Sequence, residues 1–191
     1  MIEYEGKDIR NVVLLGHAGS GKSTFIESAL LLTNEIDRMG NSSDGSLAMD
    51  YDPEEAKRGL SVYSSIAPIQ WKGRKINFID TPGYLDYEGD MVSGASVADL
   101  ALIFVSGKEG QQSGTEKAAN LAIKLGIPIC FLINNADEGI KFEEIAKSLT
   151  DVYGRGAVPF LIPEMDGNKM IGVRNTIYEE NDPYYNEIME V

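Results

Sequence analysis

The chain has 191 residues, 43% of them hydrophobic and 25% charged, with 20 Gly and 7 Pro spread along it. That is enough for one domain with a full core, or one domain and part of a second, and it is not the composition of a disordered protein. Thirty Asp and Glu against 17 Lys and Arg leave a net charge of −13; this repels phosphate backbones and argues against direct nucleic-acid binding by the chain.

In chain order, Asn11 to Gly16 (NVVLLG) is a short branched apolar run ending in Gly, the pattern of a strand buried on both faces. GKSTFIESALLL then has helical character. Asn34 to Gly59 is polar, glycine-bearing and without clean periodicity, so it reads as a long switch-like loop with little apolar surface to hold it. Ser61 to Trp71 and Lys75 to Asp80 predict an antiparallel hairpin about Lys72 and Gly73, with Pro68 toward an edge. Leu100 to Val105 and Ile127 to Asn134 are again buried-strand runs. The helix TEKAANLAIKL lies between them, with Ser113 and Glu116 spaced as an SxxE capping box and Gly126 as its stop.

Phe142, Ile145, Ala146, Leu149, Val152 and Tyr153 recur at helical spacing and predict one apolar helix face. Ala157 to Ile162 and Lys169 to Arg174 read as a further hairpin around Asp166 and Gly167, and the acidic end EENDPYYNEIMEV as a solvated terminus. Strands alternating with helices predict an α/β fold: a mostly parallel sheet covered by helices on both faces, one antiparallel edge hairpin, and ligands at the carboxyl ends of the strands. The lone Cys130 sits in the apolar run IPICFLIN, where an inert, buried thiol is expected. No disulfide framework is possible and no apolar run approaches the ~18 residues of a membrane span, so a cytoplasmic, monomeric protein is the expectation.

Three motifs carry chemistry. Gly16, His17, Ala18, Gly19, Ser20, Gly21, Lys22 and Ser23 match GxxxxGKS/T between a predicted strand and a predicted helix, with Thr24 next. Glycines let backbone N–H groups turn in around phosphate, the helix start adds partial positive charge, Lys22 reaches the terminal phosphates and Ser23 can ligate magnesium. Asp80, Thr81, Pro82 and Gly83 follow the strand INFI, so the Asp80 carboxylate emerges on the same rim, suited to a magnesium-bound water, with the Gly83 N–H for a γ-phosphate. Asn134, Asn135 and Asp137 close the strand IPICFLI. The Asp137 carboxylate would accept from the two N–H donors of guanine and Asn134 would brace the phosphate loop, a pattern that alone is only an Asn/Asp turn.

In this order the motifs resemble the nucleotide-binding domain of translational GTPases, specifically elongation factor G and its divergent paralogues, with tetracycline-resistance ribosomal protection proteins as near relatives. The likeness runs from about Asn11 to Arg174 through GHAGSGKST, MDYDPEEAKRGLSV, INFIDTPGYLDY and the strand before Asn134. It implies GTP or GDP with magnesium, hydrolysis coupled to a conformational switch, and the ribosome as partner. By the same likeness Ser61 stands where the family has its magnesium-ligating Thr, and AVPFLIPEMDGNKMIGV resembles the start of a subdomain that elongation factor G inserts. The expected organisation is a GTP-binding domain over 1–155 followed by that subdomain or a C-terminal extension over 156–191, in a fragment of a longer protein.

The chain departs from the family at four points. Asn135 replaces the Lys whose stem covers guanine, Tyr84 replaces the catalytic His after DTPG, Gly19 stands where many relatives have Asp, and no Ser-Ala base motif follows Asp137. These departures keep a second reading open, a guanine-nucleotide sensor that does not hydrolyse, and a third, an ATP-dependent P-loop enzyme, against which Asp137 argues. His17, with no partner carboxylate, reads as a spacer within the loop.

Overall fold

The computed structural model describes residues 3–41, 45–49, 63–83, 88–135, 141–167 and 169–190. Their elements run β1 (Ile9–Gly16), α1 (Lys22–Leu32), β2 (Ser65–Trp71), β3 (Arg74–Asp80), α2 (Glu88–Ala95), β4 (Leu100–Ser106), α3 (Ser113–Leu125), β5 (Ile129–Asn134), α4 (Phe142–Tyr153), β6 (Leu161–Asp166), β7 (Lys169–Asn175) and α5 (Pro183–Met189). The chain divides into two units, residues 1–104 with 112–132, and residues 105–111 with 133–191.

The main sheet has the order β2-β3-β1-β4-β5. β1 pairs in parallel with β3 and with β4, while β2 is antiparallel to β3. β1 therefore lies inside the sheet, which is why Val13, Leu14 and Leu15 are wholly buried and why its sequence is apolar rather than alternating. The predicted edge hairpin is β2 and β3; Pro68, which pairs with Asn77, lies on the outermost strand β2, where sheets accommodate proline. Pairing of Leu14 with Asp80 and of Gly16 with Phe104 sets the carboxyl ends of β1, β3 and β4 on one rim.

The core of the first unit joins Ile26 and Leu30 of α1 to Leu14, Phe78, Leu102 and Phe104. Phe25 packs edge-on to Phe78 and Phe104, with ring centroids 5.6 and 5.5 Å away, the arrangement that aromatic quadrupoles favour. The region read as an unheld loop is held in its first part: Leu47 and Met49 are buried, Met49 within this same core. α3 is not capped by Ser113 and Glu116. Its N-cap is Gln112, whose backbone N–H donates to Thr115 Oγ1 at 3.4 Å, because the helix starts one residue before the motif assumed. Gly126 ends it in the left-handed region at φ 68°, as a C-terminal glycine does.

The second unit carries α4, the hairpin β6–β7 and α5. Ile145, Ala146 and Leu149 of α4 are buried and Phe142 and Tyr153 half-buried, but Val152 is exposed, so the apolar face is the expected one without Val152. β6 begins at Leu161 rather than Ala157. Its partner strand ends at Asn175, opposite Leu161, and the chain then enters a 3-10 turn at Thr176, so residues before Leu161 have no strand to pair with. The end read as a solvated acidic terminus forms α5: the Asp182 carboxylate accepts from Tyr184 N–H at 2.9 Å and Pro183 takes the first turn, a start signal of cap plus Pro. Arg174 forms an ion pair with the buried Asp182.

Candidate nucleotide-binding site

The loop from Gly16 to Ser23 joins the inner strand β1 to α1, so a rigid strand and a helix start fix both of its ends. Gly19 and Gly21 sit at φ 77° and 92°, where a Cβ would be strained. The His17 carbonyl organises the turn, accepting from Ser20 N–H (3.3 Å), Ser20 Oγ (2.8 Å) and Lys22 Nζ (3.1 Å). Lys22 Nζ also donates to the Gly16 carbonyl at 3.2 Å. Ser20 and Lys22 are buried, Ala18 is half-buried, and Gly19 and Thr24 are exposed.

Lys22 is an amine held among loop carbonyls with little water. Burial lowers its pKa from the usual 10.5, and the nearby Asp80 carboxylate partly offsets this. Desolvation disfavours the charged form unless an anion compensates it. Ser23, in the first turn of α1, donates its hydroxyl to Asp80 Oδ2 at 2.5 Å. Asp80 is 1% exposed. Next to it Thr81 Oγ1 donates to the Leu14 carbonyl at 2.7 Å, fastening the end of β3 to β1. Two motifs far apart in sequence thus present an ammonium, a hydroxyl and a carboxylate at one place.

Gly83 lies against the loop. A Cβ there would stand 2.6 Å from Lys22 Nζ and 2.7 Å from Ala18 N, so only glycine fits. On the other side Gly114, at the start of α3, faces His17: a Cβ would be 2.8 Å from His17 Cα and 3.0 Å from Nδ1. Gly16, Pro82, Gly83 and Gly114, with Met91 of α2 and the charged Glu88 and Lys117, line a cavity of about 10 Å³, room for roughly one water. His17 contributes mainly through its carbonyl.

In the second unit, Asn134 ends β5 and its carbonyl accepts from Gly107 N–H at 2.7 Å. Asn135 is left-handed at φ 58°, a conformation Asn tolerates better than most residues. Tyr84, Asp137 and Ser61 lie outside the described residues. Sequence reasoning missed Glu27 and Gly114. Glu27, an acid inside the apolar stretch STFIESALLL, is 1% exposed and accepts backbone N–H bonds from Gly40 and Ala48. Its signal was a charge four residues after Ser23. Gly114 had none beyond its position at a helix start. Cys130 is half-buried with its thiol pKa raised by burial, which leaves it protonated and unreactive at neutral pH.

The described residues contain no helix long and apolar enough to cross a membrane. Residues 7–182 match the family described as the elongation factor Tu GTP binding domain. The elongation factor G-like protein of Mycobacterium tuberculosis is 32% identical over 176 residues, 91% of this chain and 24% of that protein. The elongation factor G-like protein of Thermotoga maritima is 32% identical over 158 residues, 82% of this chain and 22% of its own length. The chain thus spans about a quarter of the curated relatives it matches. A crystal structure of a Thermus thermophilus protein superposes with a TM-score of 0.88 at 30% identity, covering 97% of this chain and 31% of that one. Translation elongation factor SelB from Methanococcus maripaludis, solved with the GTP analogue GppNHp, shares the fold at TM-score 0.54 and 24% identity, over 75% of this chain and 25% of its own. The chain belongs to the elongation factor Tu GTP-binding domain family, as the G domain of an elongation factor G-like factor.

Proposed function

We propose that this chain binds GTP and GDP together with magnesium, hydrolyses GTP slowly by itself, and serves a cytoplasmic translation factor whose activating partner is the ribosome. The observation that carries the reading is the meeting of Ser23 Oγ with Asp80 Oδ2 at 2.5 Å beside the buried Lys22. Oxygen donors of this kind suit a magnesium ion, which prefers carboxylate, hydroxyl and water and keeps several of its waters. Ser23 would ligate it directly and Asp80 through a water; Ser61 is the third candidate on sequence grounds. When bound, the ion would neutralise charge on the phosphates.

The protein's own groups divide the remaining work. Lys22 and the N–H groups of Ala18 to Thr24 would hold the phosphates, whose negative charge would offset the desolvation that lowers the Lys22 pKa. Gly83, pressed against Ala18 and Lys22, would meet the terminal phosphate through its N–H. Asp137 would read guanine, Asn134 would brace the loop, and Asn135 leaves the guanine face without the family's Lys stem. Orienting the attacking water falls to the position of Tyr84. A phenol with a pKa near ~10 stays neutral, so it gives hydrogen bonding or packing but no positive charge to the transition state. Within this reading the GTP-binding domain spans 1–155 and 156–191 begins a further subdomain.

Single-turnover hydrolysis by the full-length protein, with and without ribosomes, tests the proposal. Slow turnover that ribosomes accelerate, and that Tyr84→His raises, is expected. Fast turnover without ribosomes that is lost in Tyr84→Phe would make the phenol catalytic and refute it.

A further inference from the structure

The amino-terminal end of β3 lies far from the nucleotide loop, since the strand runs from Arg74 to Asp80, about 20 Å at the usual rise. There β2 and β3 meet in the two-residue turn of Lys72 and Gly73, both left-handed at φ 48° and 76°. Asn, Asp or Gly fills such a turn with less strain than Lys does, so the turn by itself does not account for a lysine at its tip. Trp71 pairs with Arg74 across the hairpin, and Arg10 of β1 pairs with Ile76, two residues farther along β3. Side chains two apart on a strand share a face, so the indole and both guanidinium groups stand on one side of the sheet.

The indole is 43% exposed, with the Lys72 ammonium 5.8 Å from its ring centre. Arg74 donates to Asp8 Oδ1 at 2.5 Å and to the Lys7 carbonyl at 2.9 Å, which fixes it opposite the tryptophan. Arg10 is exposed and donates from Nη1 to the carbonyls of Lys7 and Ile9. Among the described residues neither Arg10 nor Lys72 has a carboxylate within ion-pair distance. The net charge of −13 disfavours nucleic acid on the surface at large, but a local group of cations reverses that sign where it stands.

We propose that this end of the hairpin is a docking surface for RNA, in which Trp71 stacks on an unpaired base and Arg10, Lys72 and Arg74 take the neighbouring phosphates. Every nucleobase offers an exposed indole a π face, and guanidinium matches phosphate bidentately. An acidic peptide would answer the cations and leave the indole in water. The surface goes beyond the nucleotide reading and does not depend on it.

Trp71 is the chain's one tryptophan, so its fluorescence reports from the surface itself. A single-stranded oligouridylate of about 12 nucleotides, titrated into the native chain at low salt, should quench it saturably, and log K should fall with log[salt] at a slope of about −2 for three neutralised phosphates. Lys72→Asn should raise Tm by relieving the turn, yet make that slope shallower by about 0.7; a lysine serving only the fold would not move the slope. Lys147→Gln, an equal loss of charge at an exposed position on α4, should leave the slope unchanged. Trp71→Ala, followed by anisotropy of the labelled oligonucleotide, should bind about 5- to 150-fold more weakly, with GDP affinity native in calorimetry. The proposal is overturned by a native chain that the oligonucleotide does not quench, by binding that Trp71→Ala leaves intact or whose slope Lys72→Asn leaves unchanged, or by polyglutamate quenching at lower concentration than the oligonucleotide. Should Trp71→Ala not fold, the native titrations and Lys72→Asn decide.

Discussion

Replacing Gly83 with Ala tests the close approach of the DTPG segment to the phosphate loop. The added Cβ would lie 2.6 Å from Lys22 Nζ, 2.7 Å from Ala18 N and 2.8 Å from Ala18 Cα. These distances fall roughly 0.6 to 0.8 Å short of ordinary van der Waals contact, which begins near 3.4 Å. Lys22 cannot swing away freely, because its amine is bonded to two loop carbonyls, and the Ala18 atoms are backbone. Overpacking of this kind costs about 1–3 kcal/mol, which in a chain of this size lowers Tm by about 2–12 °C. Whichever side gives way, the loop that would cradle phosphate is distorted, so GDP affinity should fall as well, by up to the ~5- to 150-fold that this strain represents. Gly89→Ala is the matched control, since a Cβ there meets nothing within 4 Å. Thermal melting and GDP calorimetry on both variants provide the measurement. A Gly83→Ala chain that melts and binds as Gly89→Ala does would show that the segment does not press on the loop.

Asn135→Lys should tighten GDP by about 5-fold through ~1 kcal/mol of contact with the base. The same change should cost about 1 kcal/mol of stability, because position 135 is left-handed and Lys is less at ease there than Asn; a tighter complex with no loss in Tm would contradict the strain argument. The pH dependence follows from Lys22, whose folded pKa is lowered by burial. Between that lowered value and 10.5 the unfolded chain binds the extra proton, so nucleotide-free stability should rise with pH across the window. Lys22→Ala should remove that contribution, and identical slopes of Tm against pH in the two proteins would sink the argument. Ser23→Ala should leave the fold intact while weakening the magnesium dependence of GDP binding, read by calorimetry with and without the ion. If magnesium aids GDP binding equally in both, Ser23 is not a ligand.

Much of the fold and the phosphate half of the site were legible because they rest on local rules. NVVLLG is branched and apolar because β1 has strands on both sides, and Gly16 to Ser23 is a loop whose backbone conformation demands glycine at fixed positions. The joining of Ser23 to Asp80 could be anticipated only through topology: parallel strands put their carboxyl ends together, and the register of Leu14 with Asp80 realises it. Glu27 was passed over because an acid in a helix ordinarily faces water, so its one signal, a charge within an apolar stretch, carried little weight, and its partners are backbone N–H groups, which leave no mark in the sequence. The same holds for Gly114, whose meaning is the His17 backbone opposite it. α5 was readable in principle from Asp182 and Pro183, but the acidic composition around them masked the cap. β6 was misplaced because strand length was judged from apolar content, whereas pairing with β7 decides it.

The central claim is that this chain holds a guanine nucleotide through Lys22 and its loop. Calorimetric titration of the native chain and of Lys22→Ala with GDP and magnesium, repeated in the presence of excess ATP, tests it most directly. Saturable GDP binding by the native chain, no displacement by ATP, and no detectable binding by a Lys22→Ala chain whose melting shows it to be folded are expected. Equal GDP affinity in the folded variant, or ATP competing as well as GTP does, would contradict it.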